Sequence, residues 1–245
     1  MKRMLRFAAR NLREIRRDPI SLFFGMAFPL LLLLLLSLIN RSIPAQAQMH
    51  LFEPAQLTPG IGVFSLSFLT LFSAMLIAHD RESAFLLRLY TSPMRAWEFI
   101  CGYALALLPM ALAQQIVCYL GGMALGLTPS LRILPAVLLS LPIAACHIAI
   151  GLLCGTLLTE KAVGGVCGAL LTNLSAWLSG IWFDLSLVGG TLCAIARVLP
   201  FANAVDLCRA ALTGRLDSAA LGIVCLWAVG LGLLAVLVFL KKKRI

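Results

Sequence analysis

The sequence predicts an all-helical membrane protein with six spans and an interfacial helix ahead of them. Three observations carry this. Hydrophobic residues make up 61% of the 245 and charged residues 12%, where a soluble domain has roughly 45–50% and about 25%, and mean hydropathy is +0.99. The apolar residues fall in runs near the roughly 20 that cross the hydrocarbon as a helix. The charges, 20 Lys+Arg against 10 Asp+Glu for a net +10, collect between those runs. In that placement they read as topology signals and not as a nucleic-acid surface.

The chain opens on a basic stretch. At about 100° per residue, Met1, Leu5, Ala8, Leu12 and Ile15 share one stripe, with Arg3, Arg6, Arg10, Arg13 and Arg17 opposite. Such a helix, over residues 1–18, lies in the interface with its arginines among lipid phosphates. Asp18-Pro19 ends it and sets the first span at a new angle. Spans are predicted at Ile20 to Ile39, Pro59 to Ala78, Trp97 to Leu125, Ile133 to Leu158, Ala162 to Ile181 and Ala219 to Leu240. Ala45-Gln46-Ala47 imitates a signal-cleavage site, but the run before it exceeds the apolar core of about 7–15 residues that such signals carry.

Basic residues orient the bundle. Fifteen of the 20 lie in the N-terminal segment, the second-to-third and fourth-to-fifth connections and the tail, and five in the alternate connections, Arg41, Arg132, Arg197, Arg209 and Arg215. The richer side, with both termini, is expected to be cytoplasmic.

The connection 79–96 holds the densest chemistry. Asp80, Arg81 and Glu82 end the second span, and a short apolar segment with Phe85, Leu86 and Leu89 follows. Apolar side chains in a cytoplasmic loop need a surface to bury against, either another protein or the underside of the bundle. Ser92-Pro93 reads as the N-cap and first position of the third helix. Within the spans, Gln114, Gln115, Tyr119, His147, Thr172, Asn173 and Ser175 are candidate pathway groups or helix-to-helix hydrogen-bonding groups. Pro109, Pro135 and Pro142 are expected to kink their helices. The region 182–218 carries Gly189-Gly190, an apolar piece from Thr191 to Leu199, then Pro200 and a polar helix with Asn203, Asp206 and Arg209, the last two spaced to pair on one face.

Six of the eight cysteines fall in apolar spans, where cysteine acts as a small hydrophobe. Cys193 and Cys208 share the outside region, and a bridge between them is a minor expectation. No metal site is predicted. The absence of a His-Glu-x-x-His or Gly-x-Ser-x-Gly motif argues against a membrane protease or hydrolase.

The N-terminal Arg10-Asn11-Leu12 through Arg16-Arg17-Asp18-Pro19, the loop running through Thr91-Ser92-Pro93 and Arg95-Ala96-Trp97-Glu98-Phe99 to Gly102, and Leu199-Pro200 with Asp206, Arg209 and Gly214 together resemble the ABC-2 type exporter permeases. Ala84-Phe85 and Tyr103 depart from that pattern, which often has Gly-Thr and a basic residue at those places. The resemblance implies a dimerising permease, paired with itself or a paralogous chain, that moves a drug, antibiotic, peptide or lipid-like molecule outward across a bacterial plasma membrane. It implies ATPase contacts at Arg10, Arg13, Arg17 and the loop 79–96, and outer-leaflet re-entrant helices at 182–218 gating the path around Pro200, Asn203, Asp206 and Arg209. The chain has no Gly-x-x-x-x-Gly-Lys-Ser/Thr loop, so ATP and its Mg belong to a partner ATPase. Other readings are a haem-export-type or heteromeric permease, and a membrane immunity or scaffold protein that does not transport.

Overall fold

The computed structural model describes residues 2–44, 49–83 and 95–243. Among them there is no strand. Helix α1 is Lys2–Ile15, α2 is Pro19–Ser42, α3 Pro54–Glu82, α4 Ala96–Ala124 and α5 Ile133–Leu157. Helix α6 covers residues 160–177, α7 is Gly190–Val198, α8 Pro200–Leu212 and α9 Ser218–Lys243. Five of these, α2, α3, α4, α5 and α9, are long and apolar enough to cross a membrane. Counting the bent pair α7–α8 as one span makes six.

Helix α3 is the hub. Some 83% of its apolar stretch is buried within the chain, against 22% for α2 and 17% for α9, which line the outside. Its first half, Pro54–Leu66, packs on α4 and its second half, Phe68–Glu82, on α5 and α6. The α3–α5 contact is closest at Gly151 and Gly155, where Thr70, Ser73 and Ala74 of α3 leave no room for a side chain. Ser73 Oγ donates to Ile148 O at 3.2 Å and Thr70 Oγ1 to His147 O at 3.2 Å, so the seam is hydrogen-bonded as well as tight.

Several boundaries differ from the sequence reading. Helix α3 begins at Pro54 and runs to Glu82, because a proline at the first position suits a helix start and the polar end is held by partners described below. Helix α4 starts at Ala96, not at Ser92-Pro93: Arg95 is extended, and its N–H donates to Glu98 at 2.8 Å. Helix α6 stops at Trp177, short of Ile181, and Gly180 adopts a positive φ of +69° just beyond. Helix α4 runs unbroken through Pro109, while α5 breaks at Ser140, two residues before Pro142. Two stretches, Phe23–Ala27 in α2 and Gly164–Leu171 in α6, are π-helical.

Helix α1 is rotated relative to the predicted stripe. Phe7, Ala8, Asn11 and Ile15 are buried and Leu5 faces out. The arginine face is therefore incomplete, because Arg10 turns toward the bundle.

Candidate functional site

Residues 79–82, at the end of α3 that meets α1, join five helices. Asp80 is fully buried and accepts from Arg10 Nη1 of α1 at 2.7 Å and from the Tyr103 hydroxyl of α4 at 2.8 Å. Arg10 also reaches Asn11 Oδ1 and Glu14, both at 2.9 Å. Burial holds the Glu14 carboxyl above the usual carboxylate range, opposed by Arg10 and reinforced by Asp80. Phe7 locks the same joint, with its ring edge-on to Phe99 and Tyr103 at 5.9 and 4.9 Å. It sits where a Cβ on Gly102 would come within 2.5 Å of it. That contact accounts for the glycine in the loop motif.

The next two residues clamp other helices. Arg81 donates to the carbonyls of Thr156 and Leu158 at the C-terminal end of α5, where a helix leaves its acceptors unpaired and its dipole is negative. Glu82 accepts from the Glu160 N–H at 2.8 Å, the positive N-terminal end of α6. His79 Nδ1 lies 3.7 Å from Glu160. Three successive charged residues thus address α1 with α4, then α5, then α6. Replacing Arg81 by Ala should cost about 1–2 kcal/mol. It should also speed amide hydrogen exchange at residues 156–162 while the centre of α3 stays protected; unchanged exchange there would mean the clamp is decorative.

Arg13, on the exposed side of α1, and Arg17, in the turn after it, line a shallow cleft with Glu14 and Asp18. Phe85, Leu86, Leu89, Ser92 and Pro93 lie outside the described residues.

The intramembrane polar residues do not converge. Gln114 and Gln115 of α4 donate to the carbonyls of Ser65 and Gly62 at 3.3 and 2.8 Å, just ahead of the break in α3 at Ser67. His147 of α5 contacts Thr70 Oγ1 at 3.1 Å and stacks on Phe201 of α8. Tyr119 is buried among Ala136, Val137 and Ala211. Thr172 and Ser175 bond within α6, and Asn173 is exposed, its amide on Ala169 O. The sequence reading missed Phe7, Asn11, Gly151 and Gly155; for the last two, the Gly-x-x-x-Gly spacing was the available signal.

At the opposite end, α7 and α8 meet at 74°. Leu199 is extended before Pro200, the conformation that a following proline favours. Asn203 donates to the carbonyls of Arg197 and Leu199 at 2.8 and 2.7 Å, and Trp227 of α9 to that of Val198 at 2.9 Å. These side chains satisfy the end of α7. The expected Asp206–Arg209 pair is present as a loose one, Nη1 lying 4.0 Å from Oδ1, and the other oxygen of Asp206 takes a closer partner across the corner, Arg197 at 2.5 Å. Both ends of that ion pair line a cavity of about 420 Å³ with Gln56, Ser179, Asp184 and Arg209. Cys193 and Cys208 are free thiols.

A comparison with curated proteins finds no match. The sequence profile of the ABC-2 type transporters matches residues 4–213, which takes in α1, the hub and the bent pair. The chain belongs to the ABC-2 type transporter family and is the membrane permease component of an ABC transporter.

Proposed function

We propose that the chain is the permease subunit of an exporter, driven by a separate ATPase that docks on α1 and the segment 84–94 at the cytoplasmic face. The observation that carries this is the division of Asp80, Arg81 and Glu82 among α1, α4, α5 and α6, two residues before that segment begins. A displacement of the segment pulls on Glu82, and the same three side chains pass it to four helices at once. The ATPase biases this joint and the bundle answers between inward-open and outward-open forms.

In this reading α2, α3, α4, α5, α6 and α9 are the six spans and α7–α8 is a re-entrant corner. Helix α6 supports that count. Its first N–H, that of Glu160, bonds Glu82 at one end of α3, and Ile181, four residues past its other end, lies against Gly60, so it follows α3 over most of its length. Both termini then fall on the side with fifteen basic residues, the cytoplasmic side of a bacterial plasma membrane. Two copies, homodimeric or paired with a paralogue, form the path. Cargo is drug-, antibiotic-, peptide- or lipid-like and enters from the cytoplasm or inner leaflet.

Affinity purification in mild detergent from native membranes tests the reading. An ABC ATPase should accompany the wild-type chain and be lost with Phe85→Asp or Leu86→Asp. If no ATPase is recovered even after crosslinking, the docking reading is wrong and a non-transporting role takes its place.

A further inference from the structure

The joint between α1 and α3 holds two buried polar groups that lack partners and complement each other. Asn11 is fully buried. Its Oδ1 accepts from Arg10 Nη1 at 2.9 Å, while Nδ2 meets no acceptor. Asp80 is fully buried as well. Its Oδ2 accepts from the same Arg10 Nη1 at 2.7 Å and from the Tyr103 hydroxyl at 2.8 Å, while Oδ1 meets no donor. Turning the Asn11 amide over does not help, because it would set N–H against the N–H of Arg10. A buried donor without an acceptor and a buried acceptor without a donor are both costly. Since one donor atom touches both side chains, the unused amide and the unused oxygen are neighbours across the guanidinium.

Arg10 keeps the two apart, and it has somewhere else to go. It pairs with Glu14 at 2.9 Å, one turn along α1, and lines the cleft that Arg13, Glu14, Arg17 and Asp18 also line. Leaving Asp80 therefore does not cost Arg10 its counter-charge. Positions 10 and 11 stand about 100° apart around a helix, so passing Asp80 from one to the other rolls α1 about its axis. Phe7 is the pivot: it lies one turn before Asn11, edge-on to Phe99 and Tyr103.

We propose that this joint has two bonding states. In the one seen, Arg10 holds Asp80. In the other, populated at about 1–10%, the Asn11 amide donates to Asp80 Oδ1 and Arg10 withdraws to Glu14. The exchange deepens the transport reading, because it names the two-state element that a protein docked on α1 would bias. It is tested on the purified chain with no ATPase present, so failure to recover an ATPase overturns that reading and leaves this one standing.

The test is nuclear magnetic resonance of the full chain in a neutral detergent, labelled with 15N-asparagine. Four side-chain amides report, those of Asn11, Asn40, Asn173 and Asn203, and Asn11→Leu identifies the first by its loss. Relaxation dispersion should show millisecond exchange at Asn11. It should show none at Asn203, whose amide is held by two carbonyls. Arg10→Met removes the competing donor, so the Asn11 amide should give one hydrogen-bonded signal that exchanges with D2O at least about tenfold more slowly. Thermal unfolding adds a second readout. Asn11→Leu should leave the wild-type midpoint equal or higher, since it removes an amide without an acceptor, and should lower that of Arg10→Met by at least about 2 °C. Flat dispersion at Asn11 in the wild type would overturn the proposal, whether or not Arg10→Met folds. So would an Asn11→Leu substitution that lowers the midpoint no more in Arg10→Met than in the wild type.

Discussion

Gly151→Leu should prevent the chain from reaching its folded form, at a cost of about 4 kcal/mol or more. A Cβ at position 151 would lie 1.9 Å from Ser73 Oγ and 2.2 Å from the Thr70 carbonyl oxygen, and one at 155 would lie 2.3 Å from the Ala74 oxygen. Rotation moves a hydroxyl aside. It does not move a carbonyl that belongs to the central helix, so α3 and α5 must part. Parting them breaks the Ser73–Ile148 and Thr70–His147 bonds and exposes polar groups where lipid offers no partner. Gly155→Leu should behave alike. Gly232→Leu on α9, where an added Cβ meets nothing within 4 Å, is the control and should stay within about 0.5 kcal/mol. Unfolding in detergent reads all three; a folded Gly151→Leu protein would show that the seam is looser than its geometry requires.

The second large effect is expected at the charged joint. Arg10→Met removes the cation from Asp80, whose carboxylate is fully buried and already has one oxygen, Oδ1, without a partner. Leaving a buried charge unpaired costs about 3–5 kcal/mol, and the Tyr103 hydroxyl and partial exposure of Arg10 place this case at the lower end, about 3 kcal/mol. Asp80→Asn should cost less, about 1 kcal/mol, because Arg10 keeps Glu14 and reaches water. The double variant should then be more stable than the sum of the single effects by at least about 1 kcal/mol. Additive costs in unfolding measurements would mean that Arg10 and Asp80 are neighbours without being partners.

The helices are legible in the sequence because the spans are apolar runs and their ends are marked by charge or proline. The rotation of α1 is not, since nothing local distinguishes Asn11 from an exposed asparagine. Its burial comes with the seating of α1, where Phe7 meets Phe99 and Tyr103 and Arg10 meets Asp80, all remote in sequence. Asp80, Arg81 and Glu82 stand out as a polar cluster, but their division among four helices exists only once α5 and α6 are placed. The same holds at the corner: spacing gives Asp206 with Arg209, and only the bend adds Arg197 as its closer partner. The polar residues of the spans were visible as costly groups, while their hydrogen-bonding partners depend on irregularities in α3 that no periodicity reveals.

The wide turns in α2 and α6 bear on the ancestry of the chain. A π stretch is an α-helix that has taken in an extra residue without losing its ends. At Phe23–Ala27 and Gly164–Leu171, single-residue deletions could be absorbed by narrowing the turn. The same deletion inside α3 would swing every later side chain by about 100°. Gaps among related chains should therefore gather in α2 and α6 and avoid α3, leaving a record of which helices could still be lengthened after the bundle had closed around its centre.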